Sequence, residues 1–380
     1  MLDRFVRLFT SLRLTVVLLA LGGILVFWGT LAQVDLGLYK AQNEFFRSFF
    51  IFWHPGNGAI RIPIFPGGYL LGGLLLINLF SAHLRYYKLG WKKLGIAMIH
   101  LGIVVLLLGQ LGTDMLSQES SMHLRNGETR NYSEAARAFE LAVIEDSTEP
   151  VEKVVAIPGR MLTDGNEISD PEMPFTVKVK NYFVNSELLE TNAPGFTPIP
   201  TDKGVGAGLF WAELPRVTEM DSRDIPSGVV ELTTPQGSSG TWLISAYLSH
   251  PQQVTFNGKR YELALRPQRF YKPFSIHLLK FTHDQYAGTD IPKNFSSRIQ
   301  LIRPDKGENR EVLIYMNSPL RYAGETFYQA SFDTDDQGTI LQVVHNPGWL
   351  TPYLGCGMVA FGLIYQFLSH FIKFIGRRSA

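Results

Sequence analysis

Cysteine is almost missing from this chain. Cys356 is the single cysteine in 380 residues, so no CxxC dithiol and no internal disulfide can form, and thiol reduction is excluded as its activity. The nucleotide and hydrolase signatures are missing as well: there is no Walker loop, no GxGxxG ahead of a helix, no GxSxG and no HExxH. Nine histidines stand at 54, 83, 100, 123, 250, 277, 283, 345 and 370, too scattered for structural zinc, whose ligands come at close spacing. ATPase, hydrolase and metalloprotease readings lose their support together. Neither a solenoid repeat nor a low-complexity tract is present, and no nucleic-acid partner is expected.

Acidic residues are scarce at the two ends. Residues 1–113 and 351–380 hold only Asp3, Asp35 and Glu44, while the other 31 of the 34 acidic residues fall in 114–350. The formal net charge of +1 is therefore a cancellation between ends of about +10 and a middle of about −9. Such a split argues for two environments.

What the ends have is long apolar runs. A bilayer core takes about 20 mostly apolar helical residues, and four stretches meet or approach this: Leu14 to Ala32, Gly67 to Ala82, Leu94 to Leu111 and Tyr353 to Ile372. The second is short and glycine-rich. The first follows Arg4, Arg7 and Arg13 as a signal peptide would, but three further spans favour a retained anchor. Lysine and arginine mark the cytoplasmic side. They cluster before the first span, between the second and third (Arg85, Lys88, Lys92, Lys93) and after the fourth (Lys373, Arg377, Arg378).

Both termini are thus expected in the cytoplasm of a multi-pass membrane protein. Residues 1–33 form the tail and first span, 34–66 an outer loop, and 67–113 the second and third spans around a basic loop, 84–93. Residues 114–350 form a translocated domain, and 351–380 the last span and a basic tail.

The middle piece alternates as strands do. Phe175 to Lys180, Thr241 to Leu248, Gln253 to Leu265 around Asn257-Gly258, and Ser297 to Ile302 against Glu311 to Met316 all have period two. The sequence predicts four transmembrane helices plus a large β-rich extracytoplasmic domain, a sandwich or open barrel, with two lobes as one form of it. Glu190 to Gly208 and Pro235 to Gly240 read as loops or joints between subdomains. Ala41 to Trp53 (AQNEFFRSFFIFW) reads as an amphipathic helix, either interfacial or packed under the outer domain.

Ionisable side chains inside a span are costly and point to function. His100 lies seven residues past Lys93, about 10 Å from the cytoplasmic edge at 1.5 Å per residue. His83 and His370 close the second and fourth spans in the same leaflet. A neutral imidazole ligates haem iron well, and Arg85, Lys88 and Lys92 are placed for propionates. For His83 and His370 an interfacial role is the commoner one; His100, at its depth, needs either a metal or an interhelical hydrogen bond. His54, His123 and His345 fall near the outer face, where solvated histidines are the rule.

Three segments carry a family resemblance. Ser11 to Gln33 (SLRLTVVLLALGGILVFWGTLAQ), Ile77 to Gln110 running on to MHLRNGE at 122–128, and Pro319 to Gly355 with GETFYQASFD, LQVVHNPG and PYLG resemble the ResB family, also called CcsB. This is the membrane subunit of system II cytochrome c maturation. The region 159–240 resembles it poorly.

The resemblance implies a CcsA (ResC) membrane partner, apocytochrome c and thiol-disulfide reductant proteins as further partners, and haem b as the group exported and attached. It implies that His100 shares a haem iron with a partner histidine; it gives His83 no firm role, and His83 stays the second choice, with Arg85 and Lys88 nearby by sequence. The partner's tryptophan-rich haem-presenting motif has no counterpart among the isolated tryptophans here, so a non-catalytic or co-catalytic subunit is expected. Two other readings stay open: a scaffold whose β-domain docks partners without haem, and a b-type electron carrier.

Overall fold

The computed structural model describes residues 7–55, 60–86, 93–146, 151–219, 222–286, 288 and 292–378. It divides into a helical unit (residues 1–118, 218–220 and 345–380) and a β unit (119–217 and 221–344).

Four long helices build the first unit: α1 (Leu12–Leu36), α2 (Gly68–Tyr86), α3 (Leu94–Leu116) and α4 (Thr351–Arg378). Ser11 starts α1 by accepting a hydrogen bond from the Arg13 amide, and Gly37, at φ 76°, ends it by returning its N–H to Gln33. By length and composition α1, α3 and α4 can cross a membrane. The 19-residue α2 falls short of them, because Asn78, His83 and Arg85 dilute its apolar run. The four-span expectation therefore rests on three clear spans and one shorter helix. Leu18 and Leu25 of α1 pack with Leu71 of α2 and with Phe45 and Ile51 of the loop between them. Trp28 meets Phe45 and Phe65 edge-on, at 5.3 and 5.9 Å.

That loop corrects the expectation of one aromatic helix. A short helix (Leu38–Ala41) and a π turn (Gln42–Phe46) end at Arg47, and the chain then extends as β1 (Phe50–Trp53) against β2 (Ile62–Pro66). The consecutive Phe, Ile and Trp of β1 suit a half-buried strand better than a helix.

Helices α3 and α4 meet through glycine. A Cβ on Gly95 would stand 2.8 Å from the Gly362 carbonyl oxygen, and one on Gly102 2.8 Å from that of Gly355. Only hydrogen side chains allow this approach.

The β unit begins with β3 (Gln118–Arg125), the long β4 (Thr129–Asp146), β5 (Lys153–Pro158), β6 (Glu167–Ile168) and β7 (Thr176–Phe183). Three short strands follow, β8 (Ser186–Leu189), β9 (Thr197–Pro198) and β10 (Phe210–Glu213), forming a sheet of their own. Next come β11 (Ser227–Thr234), β12 (Gly237–Ser245), β13 (Gln252–Phe256) and the 27-residue β14 (Lys259–Gln285). The chain finishes the unit with β15 (Pro292–Arg303), β16 (Glu308–Tyr315), β17 (Leu320–Tyr322), β18 (Glu325–Phe332) and β19 (Gly338–His345).

The main sheet runs β16-β15-β14-β4-β3-β19-β18-β17. It curls until its edges meet: Tyr322 of β17 donates to Glu308 of β16 at 2.5 Å, and Tyr315 and Ser318 bond across the turn between them. This nearly closed barrel encloses Met122, Leu124, Ile276, Leu278, Ile299 and Phe327. The far halves of β4 and β14 leave the barrel and pack with the β12-β11-β7-β6 sheet over a second core of Leu141, Val143, Val177, Val230 and Leu263. The two lobes thus share their longest strands, and the pairing of β14 with β4 slips between Pro267 and Arg269.

The hairpins fall where the sequence placed them. Asn257 and Gly258 have φ 52° and 77°, as a two-residue turn requires, and β15 pairs with β16 across Asp305-Lys306-Gly307. Pro235 to Gly240 is a different case. Its proline and Gln236 make a hairpin turn, and from Gly237 it is already strand, so it joins two strands of one sheet and separates no subdomains.

Candidate functional site

Antiparallel α2 and α3 bring together the two histidines that the sequence ranked first and second. His100 Nδ1 lies 3.1 Å from His83 Nε2, and the rings stand at 87° with centroids 4.7 Å apart. His83 Nδ1 lies 3.1 Å from the Leu79 carbonyl oxygen, one turn back on its own helix. Both rings are half-buried. No partner for His100 Nε2 is found among the described residues.

The same two helices are tied again at their other ends. Tyr69 of α2 donates to Asp114 of α3, whose second oxygen takes Arg47 Nε at 2.6 Å. Tyr69 precedes His83 by fourteen residues and Asp114 follows His100 by fourteen, which is about 21 Å of helix on each side. Equal spacing sets one clamp opposite the other, four turns apart. The clamp at Asp114 was not read from the sequence; its signal was that separation of fourteen, repeated on two helices of opposite direction.

The remaining candidates are placed as follows. Arg85 is exposed, two residues past His83; Lys88 and Lys92 lie outside the described residues. His370, exposed on α4, bonds Gln366 Nε2 at 2.7 Å and does not join the His83–His100 pair. His54 is exposed beyond β1. His123 lies 2.9 Å from both oxygens of Asp333, and Arg125 adds a 2.5 Å bond to Asp335. His277 and His283 bond Thr129 and Asp336. Among the described residues no three metal-binding side chains cluster. A free-standing metal centre of the zinc type is therefore not built by these residues, whereas haem, which brings four equatorial nitrogens of its own, needs only axial ligands. The unpartnered Nε2 of His100 fits that need.

The family resemblance is borne out. A model of the ResB-like family matches residues 237–340, from β12 into β19. Protein NrfI of Wolinella succinogenes is 26% identical over 317 residues, covering 80% of this chain and 31% of that protein. The chain thus spans about a third of the length of the curated relative it matches.

Proposed function

We propose that this chain is a membrane subunit of a cytochrome c biogenesis complex that handles haem on its way to covalent attachment. Its apolar helices seat it in the cytoplasmic membrane with both termini inside, as the clusters of Arg and Lys require. The β unit, rich in acidic residues, lies outside. There it holds apocytochrome c, or the protein that keeps its cysteines reduced, beside a CcsA-type membrane partner.

One observation carries this reading. Two histidines that the sequence sets seventeen residues apart touch within apolar helices, where an imidazole without a task is a cost. His100 would hold haem through its ring nitrogen together with a histidine of a partner subunit, and exposed Arg85 would meet a propionate. Haem brings the iron that must be ferrous when thioether bonds form. This chain's residues hold and orient it, and the tryptophan-rich presenting surface belongs to the partner.

The test is His100→Ala in the intact complex, read as the reduced α-band of the purified membrane complex and as haem-stained c-type cytochrome in the host. Loss of both is expected. An unchanged α-band with normal cytochrome yield would overturn haem ligation and leave a docking scaffold.

A further inference from the structure

The proton positions of two touching imidazoles follow from what they touch. His83 Nδ1 faces the Leu79 carbonyl oxygen at 3.1 Å, and a carbonyl only accepts, so this nitrogen bears the hydrogen. A neutral ring has one N–H; His83 Nε2 therefore offers a lone pair. That lone pair faces His100 Nδ1 at 3.1 Å, which must donate to it. One nitrogen of the four is left bare and without a partner among the described residues, His100 Nε2. Neutral rings are the low-cost form within an apolar span.

Distance separates a ligand pair from a hydrogen-bonded pair. Metal–imidazole bonds run about 2.0–2.1 Å, so two rings on opposite faces of one haem hold their nitrogens about 4 Å apart. The observed 3.1 Å is a hydrogen bond.

We propose that His83 is a positioning residue for His100: it fixes the tautomer that bares Nε2 and, anchored by the Leu79 carbonyl, holds the ring's direction. The His83–His100 pair is then a ligand and its orienter, in the manner of the outer partners of metal-bound histidines, whose loss typically weakens metal binding about 10–100-fold. This rests on the reading of His100 as a haem ligand.

The experiment uses the full chain purified from membranes with its partner, and titrates haem b into wild type, His83→Leu, His83→Gln and His100→Ala while recording the optical spectrum and reduction potential. Glutamine keeps a side-chain oxygen that accepts from Nδ1–H; leucine does not. Expected are loss of the bis-histidine spectrum for His100→Ala, haem affinity about 10–100-fold lower for His83→Leu with the bis-histidine pattern kept at saturation, and most of that loss restored by His83→Gln. Equal, full affinity in His83→Leu would overturn the positioning role, as would haem retained by His100→Ala and lost from both His83 variants, which would make His83 the ligand. A wild-type complex that takes up no haem would instead remove the underlying reading, and the proposal with it.

Discussion

Gly102 of α3 approaches Gly355 of α4 so closely that a Cβ on it would stand 2.8 Å from the Gly355 carbonyl oxygen and 2.7 Å from Val359 Cγ2. Gly95 and Gly109, one heptad to either side, are buried on the same stripe, against Gly362 and Thr351. The pairing of α3 with α4 is thus set by the absence of side chains, and α3 is fixed in rotation by it. Gly102→Leu is expected to lower the stability of the helical unit by about 1–3 kcal/mol, the range for overpacking, read as a lower melting temperature in detergent. Leucine at Gly112, where a Cβ meets nothing within 4 Å, is the control that leaves it unchanged.

The start of α1 depends on one buried amide. Asn78 of α2 is 2% exposed; it accepts from Thr15 Oγ1 at 2.6 Å and donates to the Phe9 and Ser11 carbonyl oxygens at 2.8 and 3.3 Å. Asn78→Leu removes these three contacts between α2 and the start of α1. Interhelical polar contacts in membranes average about 0.6 kcal/mol, with maxima near 1.7, so a loss of about 1 kcal/mol is expected. Faster proteolysis around residues 7–11 in native membranes is the measurement that checks it.

Where the two lobes join, Arg266 of β14 pairs with Glu140 of β4 at 3.1 Å, and the carboxylate side chain is 5% exposed. Breaking one side of a buried pair strands the other charge and costs about 3–5 kcal/mol, while replacing both by apolar residues is often neutral. Arg266→Met is therefore expected to destabilise the β unit by several kcal/mol, and the double change Arg266→Met with Glu140→Leu to recover most of it. Chemical unfolding of the full chain followed by β-sheet circular dichroism reports both.

A pH dependence is expected at the loop holding β12. The Thr241 amide and then its hydroxyl, at 2.5 and 2.8 Å, hold the Asp202 carboxyl below its ordinary 3.8. A depressed carboxylate stabilises the fold at pH above its unfolded value, and the contribution disappears as pH falls through the folded one. Amide exchange of residues 200–206 should therefore be flat from neutral pH down to about pH 4 after correction for intrinsic rates, then rise below it. Asp202→Asn should exchange faster throughout and lose the acid step.

Much of this protein was legible because the signals are local. Apolar runs lengthen into α1, α3 and α4 wherever backbone groups must be satisfied within the segment, and α3 begins at Leu94 as read. Alternation and the Asn257-Gly258 turn gave β13 and the start of β14. The helix expected over Ala41 to Trp53 failed because aromatic residues serve a strand as readily as an amphipathic helix, and the partner that decides, Ile62–Pro66, comes later in the chain.

The sequence by itself determined the charge split, the apolar helices, the β-rich middle and the placing of a histidine seven residues inside the third span. Tertiary structure alone decided that His83 meets His100 while His370 bonds Gln366, that two clamps lie opposite each other on α2 and α3, and that Glu140 finds Arg266 126 residues away. The reason is rotational. A hydropathy run specifies that a helix forms and how long it is, but which face meets which neighbour depends on the rotation of both helices, and the glycines of α3 and α4 set that only once the two are packed together.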